Sequence, residues 1–225
     1  MKKIDKGDSP EWFETWKQNY KDTIGREAHY KKDFSSEDND GKRRRQRLRN
    51  QLIEEQGYIC CYCMKRISLD SSHIEHFWPK TFFPQIDLDY NNMFASCNGD
   101  GIIGIDGHCG HKKEDWWEKD MIPPTEAEIE KIFQYSVDGR IHSVPGRPAA
   151  NIAQEMITQM GLNSFHLKRN RREAIENSEV FDEEEYSDQD IRDFIDYYAN
   201  KDNGFYIPYC MAIVDCLKDC LKNKM

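Results

Sequence analysis

The sequence contains no run of about 20 apolar residues, so it offers no membrane-spanning helix. Behind Met1-Lys2-Lys3-Ile4-Asp5-Lys6 there is no apolar segment of the kind a secretory signal needs. No internal repeat is present. A basic excess is missing as well: 32 Lys and Arg against 41 Asp and Glu leave a net charge of −9, which argues against a protein that coats nucleic acid by charge alone. These absences predict a soluble, cytoplasmic protein with no membrane partner. In a reducing compartment eight cysteines do not read as a disulfide framework. The C-x-x-C spacing, which occurs once at Cys60 and Cys63, then favours metal binding or redox work. A length of 225 residues allows one sizeable domain or two small ones, since domains run to roughly 100–200 residues.

Taken in order, Trp12, Trp16 and Tyr20 share a face at helical spacing and predict a docked helix within residues 10–33. Residues 33–41 are polar and rich in turn formers, so they read as a loop or linker. A basic helix follows over 42–56, with Leu48, Leu52 and Ile53 as its buried side and Gly57 as its stop. Residues 58–67 suggest a knuckle around Cys60 and Cys63; strands are expected near 73–78 and 93–96, and a helix over 111–119. Thr125 with Glu128 has the capping-box spacing for a helix over 126–133, and Asp138-Gly139 between alternating residues signals a hairpin. Helices are expected over 149–160, 164–177, 188–199 and 208–222. The acidic stretch 176–196, with Glu183, Glu184 and Glu185 consecutive, reads as a solvated flank, and Cys210, Cys216 and Cys220 read as core.

The chemistry is concentrated between residues 60 and 113. Zinc takes four soft or imidazole ligands in a tetrahedron, and a C-x-x-C turn supplies two thiolates from one knuckle. Cys60 and Cys63 have that spacing, and Cys97 and Cys109 can complete the set around a long glycine-rich loop. Cys61 competes with Cys60, although C-x-C makes a poorer knuckle; a redox pair is disfavoured because no strand-to-helix setting surrounds the motif. Glu75 beside His76 offers a carboxylate ligand next to an imidazole base, the combination that metal-assisted phosphodiester hydrolysis requires. His73 reads as a structural residue on the strand. Arg43, Arg44, Arg45 and Arg47 lead into this region and read as phosphate contacts, against the alternative of a solvated helix face. Lys112 and Lys113 divide evenly between phosphate contact and an ordinary exposed helix start.

The order Cys60-x-x-Cys63, Glu75-His76-Phe77-Trp78-Pro79, Asn91-Asn92 before Cys97, and Cys109-Gly110-His111-Lys112-Lys113 resembles the HNH nuclease superfamily in its zinc-bound form. Arg47 to Gly57, Val137-Asp138-Gly139-Arg140-Ile141 and Gly161-Leu162-Asn163 extend the likeness to the retron-associated and Septu-type (PtuB-like) HNH family. The resemblance implies an α+β, predominantly helical protein in which a ββα-metal finger with a four-cysteine zinc site is embedded in helices. It implies His76 as general base, Glu75 and His111 as ligands to a catalytic Mg²⁺ or Mn²⁺, and Asn92 as the brace of the base-bearing loop. Asn91 competes with Asn92 and His108 with His111. Three parts are expected: 1–41, an N-terminal helix and linker; 42–120, the basic helix and nuclease finger; and 121–225, a helical, partner-binding region with one hairpin. The implied partners are a nucleic-acid substrate, DNA ahead of RNA, a PtuA-like ATPase, and a retron reverse transcriptase with its DNA. The implied role is anti-phage defence; the rival readings are an RNA nuclease using the same site and a zinc-knuckle scaffold with a degenerate site.

Overall fold

The computed structural model describes residues 1–99, 107–178 and 186–223. Helix α1 (Glu11–Ile24) follows Pro10, carries Glu11 and Glu14 in its first turn, where the helix dipole favours acid, and stops at Gly25 in the left-handed region. Its aromatic stripe closes on Phe34: the rings of Phe13 and Trp16 each lie 5.1 Å from it, edge-on. The expected linker is therefore largely structured. Residues Tyr30–Phe34 form a π-helical turn, and Asp38 caps α2 (Asn39–Glu55) by accepting from the Gly41 amide at 2.6 Å. Leu48, Leu52 and Ile53 are the buried side of α2, as the spacing predicts.

Strands β1 (Ser72–His76) and β2 (Met93–Cys97) pair antiparallel, with Ser72 opposite Cys97 and His76 opposite Met93. All five residues of β2 are buried beneath α2. Gln56, just past α2, ties these parts together inside the core: its amide donates to the carbonyls of Ile59 (2.9 Å) and Ala95 (2.8 Å) and accepts from the Ala95 N–H (2.7 Å). Those groups would otherwise be buried without partners.

Beyond the cysteine-rich region, α3 (Gly110–Lys113) is one turn long. The helix expected over 111–119 ends early because Glu114 adopts φ 48°, ψ −125°, a backbone geometry that no helix continues. Thr125 caps nothing; residues Ala127–Glu130 make a single 3₁₀ turn before β3 (Phe133–Tyr135) begins, so the tertiary demand for a hairpin overrides the capping pattern. Strand β4 (Ile141–Ser143) returns antiparallel, and α4 (Ala150–Gln159), α5 (Phe165–Glu176), α6 (Asp188–Ala199) and α7 (Cys210–Asn223) complete the chain near the expected limits. Cys210 and Cys216 are buried in the apolar cluster, which runs from Phe13 and Phe34 through Tyr62 and Phe94 to Met156, Leu167 and Ile213. Glu183, Glu184 and Glu185 lie outside the described residues. No described helix is long and apolar enough to cross a membrane.

Candidate functional site

The knuckle forms because Met64 takes a left-handed φ of 64°, which lets its amide reach back to the Cys60 carbonyl (3.0 Å) and turns Cys60 and Cys63 to the same side. Cys97 arrives at the end of β2, and Cys109 is anchored by its amide on the Met160 carbonyl at 2.8 Å, so α4 positions the second half of the set. The sulfurs of Cys60, Cys63, Cys97 and Cys109 all lie within 4.8 Å of one another and all four residues are buried. The Cys63 and Cys97 sulfurs are 3.7 Å apart. A tetrahedron with Zn–S bonds of about 2.3 Å has edges of roughly 3.8 Å, so the donor set fits zinc in chemistry and in spacing. Cys61 is buried next to the set and does not belong to it. Burial, followed by the neighbouring Cys60, pushes the Cys109 thiol well up. His108 is fully enclosed on this side, with Nδ1 3.1 Å from the Cys109 sulfur and 3.7 Å from the Cys97 sulfur.

Strand alternation sends His73 and Glu75 to one face of β1 and His76 to the other. The Glu75 carboxylate is almost wholly buried, and its Oε1 accepts from the Tyr62 hydroxyl (3.1 Å) and meets the Lys113 ammonium (3.1 Å). Burial alone would raise its pKa, but His73 and Lys113 hold it below the ordinary value. Oε2 faces His73 Nε2 at 3.6 Å, and the ring of His111, on α3, stands 4.6 Å from the His73 ring. Burial, followed by the neighbouring His73, lowers the His111 pKa.

On the opposite face, His76 Nε2 lies 2.9 Å from the Asp87 carbonyl. A carbonyl only accepts, so Nε2 carries the proton and Nδ1 keeps its lone pair; Nδ1 is buried without a hydrogen-bond partner. The Tyr30 ring packs edge-on against the imidazole at 4.6 Å, and burial, followed by the Lys80 charge, lowers the His76 pKa to about 4. Asn92 clamps the loop that carries Asp87: its Oδ1 accepts from the Trp78 amide (2.8 Å), and its Nδ2 donates to the carbonyls of Trp78 (3.0 Å) and Ile86 (3.4 Å). Asn91 is exposed, with its amide on the Asp89 side chain. Lys113 joins the two faces, since its ammonium also reaches the His76 carbonyl at 3.2 Å.

The basic residues are divided differently from the sequence expectation. Arg43 is exposed and faces Asp40. Arg44 is bound to the carbonyls of Asp33 and Phe34 and lies over Trp16, Arg45 is bound to Ser35, and Arg47 lies over Trp12 at 4.4 Å. These three arginines fasten the N-terminal segment to α2. Lys112 is exposed, whereas the Lys113 side chain is fully enclosed. Sequence reasoning missed Lys31, Lys32 and Lys80, which line an open cleft of about 540 Å³ with His29, Pro84, Asp87 and Asp115. Tyr30 and Asp87 form the wall between that cleft and His76. Only Lys80, close behind the Glu75-His76 pair, had a positional signal.

No protein-family model matches the chain. The chain is similar to a protein of Vibrio cholerae serotype O1 biovar El Tor named "Retron Vc95 putative HNH endonuclease", with 32% identity over 149 residues, which cover 64% of this chain and 70% of that protein.

Proposed function

We propose a mechanism of phosphodiester hydrolysis whose premise is that the chain belongs to the HNH endonuclease family. The observation that carries it is His76, whose Nε2 is occupied by the Asp87 carbonyl while Nδ1 is left with a lone pair and no partner. An imidazole held in one tautomer, with a lone pair left on its other nitrogen, can serve as a general base. His76 Nδ1 takes the proton of the attacking water, and Asn92 keeps the loop behind His76 closed. Glu75 and His111 would hold a divalent ion, Mg²⁺ or Mn²⁺, which supplies charge stabilisation at the phosphorane and the leaving oxygen. Lys113 keeps Glu75 ionised and ties it to the backbone of the base. Products with 5′-phosphate and 3′-hydroxyl ends are the expectation that the family brings, with the 3′ oxygen as the leaving group. Lys31, Lys32 and Lys80 are proposed contacts to the substrate backbone in the cleft beyond Tyr30 and Asp87, with Arg43 and Lys112 as outlying contacts. Zinc on the four cysteines is the structural ion.

DNA is the proposed substrate. The relative's name refers to a retron, and we extend that setting to this chain as a defence effector working with a PtuA-like ATPase and a reverse transcriptase with its DNA. Residues 121–225 are the proposed docking region, where Val137, Phe165, Tyr197 and Phe205 are exposed. The test is to incubate the purified protein and its His76→Ala variant with plasmid, phage DNA and total RNA, with and without Mg²⁺ or Mn²⁺. The expected result is metal-dependent DNA cleavage that the variant loses. Full activity in the variant overturns the role of His76, cleavage of RNA alone overturns the substrate, and inactivity on every substrate even in the complex with its partners favours a zinc-knuckle scaffold.

A further inference from the structure

Beside the lysine cleft lies a group of aromatic rings, and we infer that an unpaired base of a single-stranded DNA segment stacks there on Phe82 and Trp117 while its phosphates lie on the lysines. This rests on the proposed reading of Lys31, Lys32 and Lys80 as contacts to the substrate backbone. Two stretches of chain supply both parts: residues 80–84 give Lys80, Thr81 and Pro84 to the cleft and Phe82 and Phe83 to the rings, and residues 115–117 give Asp115 to the cleft and Trp117 to the rings. The Pro79 carbonyl accepts from the amides of both Phe82 (3.0 Å) and Phe83 (2.9 Å), so one tight turn fixes the pair. Phe83 packs edge-on against Trp117 at 4.9 Å and lies 5.8 Å from Trp78, whose backbone is held by Asn92. Phe82 is the outer ring, 6.3 Å from Trp117 and 56% exposed. A phenyl ring left in water against three further aromatic rings is a contiguous apolar patch, not a stray side chain.

The charge beside the patch selects its occupant. Lys31 and Lys32 are exposed, and among the described residues none of the three lysines is in an ion pair. Of the two acids in the cleft, Asp87 is buried with its carboxylate accepting from the Tyr30 amide at 3.0 Å, which leaves Asp115 as the exposed one. Lys80 and Phe82 are two residues apart, at most about 7 Å of chain, a span comparable with that from a nucleotide's phosphate to its base. A duplex hides the faces of its bases, so rings next to a phosphate site take unpaired nucleotides. A protein docked on the rings alone would leave the lysines unused.

The test is equilibrium binding of the zinc-replete full chain, without added Mg²⁺ or Mn²⁺, to an end-labelled thymidine oligonucleotide, an abasic strand of equal charge and a duplex of equal length, read by fluorescence anisotropy. Stacking is expected to favour the thymidine strand over the abasic strand by about tenfold or more. Phe82→Ala is expected to remove most of that preference while leaving the abasic strand and the duplex bound as in wild type, and Phe82→Trp to keep it. Lys80→Ala is expected to weaken all three probes together and to lower the salt dependence, the mark of a phosphate contact. Equal wild-type affinity for the thymidine and abasic strands, or a preference that persists in both Phe82→Ala and Trp117→Ala, overturns the stacking site and leaves the lysines standing. A uridine strand bound in preference to the thymidine strand overturns the assignment to DNA. Binding of none of the probes overturns the stacking site and the lysine cleft together. Because no divalent ion is added, cleavage plays no part in the readout, and failure of the hydrolytic reading of His76 would leave the stacking preference unchanged.

Discussion

Replacing Asn92 with alanine tests whether the loop after β1 is what holds the base. Asn92 is 3% exposed and its amide makes three hydrogen bonds, two to the backbone of Trp78 and a longer one to Ile86. Truncation leaves the Trp78 amide without its acceptor, and a buried polar group without a partner costs about 1–3 kcal/mol. A loss of about 2 kcal/mol lowers the melting temperature of a chain of this length by about 4–8 °C. The kinetic effect is expected to exceed the thermal one. The loop from Trp78 to Asp87 ends on the carbonyl that fixes the His76 tautomer, and misplacement of a reacting group by about 1 Å can cost on the order of 10²-fold in rate. Asn92→Asp should not rescue, because its second oxygen would face the Trp78 carbonyl instead of donating to it. The assay is turnover on plasmid DNA well below the melting point of each variant, beside a thermal scan and a Mn²⁺ titration. A lowered melting temperature with undiminished turnover refutes the coupling of this loop to the base.

Two further predictions concern the proton and the zinc. The folded His76 pKa of about 4 lies below its ordinary value of 6.5, so activity should stay level from neutral pH to about pH 5 and fall on descending through about 4; an acid limb at 6.5 would count against His76. The unfolded chain takes up that proton first, so the stabilising contribution is present above about 6.5 and is lost as pH falls toward 4. Lys80→Ala should move the limb upward, since Lys80 helps to lower the pKa. Cys63→Ser should lose about one zinc per chain by elemental analysis, together with much of the folded population, because a structural site depends on all its ligands. Cys61→Ser, outside the four-sulfur set, should retain the zinc.

The cysteine spacing and the long amphipathic helices were legible because both are local: a C-x-x-C turn and a helical stripe are written into neighbouring residues. What was not legible depended on where distant segments meet. Arg44, Arg45 and Arg47 read as phosphate contacts because nothing in the run announces Trp12, Trp16 or the carbonyls of 33–35 as their partners. Lys31, Lys32 and Lys80 form one cleft from two places in the chain. His73 reads as a structural residue on the strand, and alternation sets it on the face of Glu75, with its Nε2 3.6 Å from Oε2. The motifs Asp138-Gly139 and Gly161-Leu162-Asn163 are a brace. Asn163 both accepts from and donates to the Ile141 backbone at 2.9 Å, and Arg171 caps the Gly139 carbonyl at 2.7 Å and also reaches the Leu162 carbonyl.

That brace explains how the C-terminal helices bear on chemistry carried by a distant strand. At the end of α4, the Met160 carbonyl holds the Cys109 amide, and Gly161 allows close approach: a Cβ there would come within 2.7 Å of the Gly107 carbonyl and of the Lys112 side chain. Cys109 in turn is followed by Gly110 and His111, so the same peptide run that closes the sulfur set delivers α3 to Glu75. On the other strand, Cys97 ends β2 opposite Ser72 while Asn92 directly precedes its start, and the register that seats the fourth sulfur also sets Met93 opposite His76. A shift of one residue in that pairing would turn Glu75 and His76 to exchanged faces. Zinc on the four cysteines would therefore fix both the register of β1 against β2 and the approach of α3, so its removal should disorder the ion-facing carboxylate and the base together, even though neither residue is a zinc ligand.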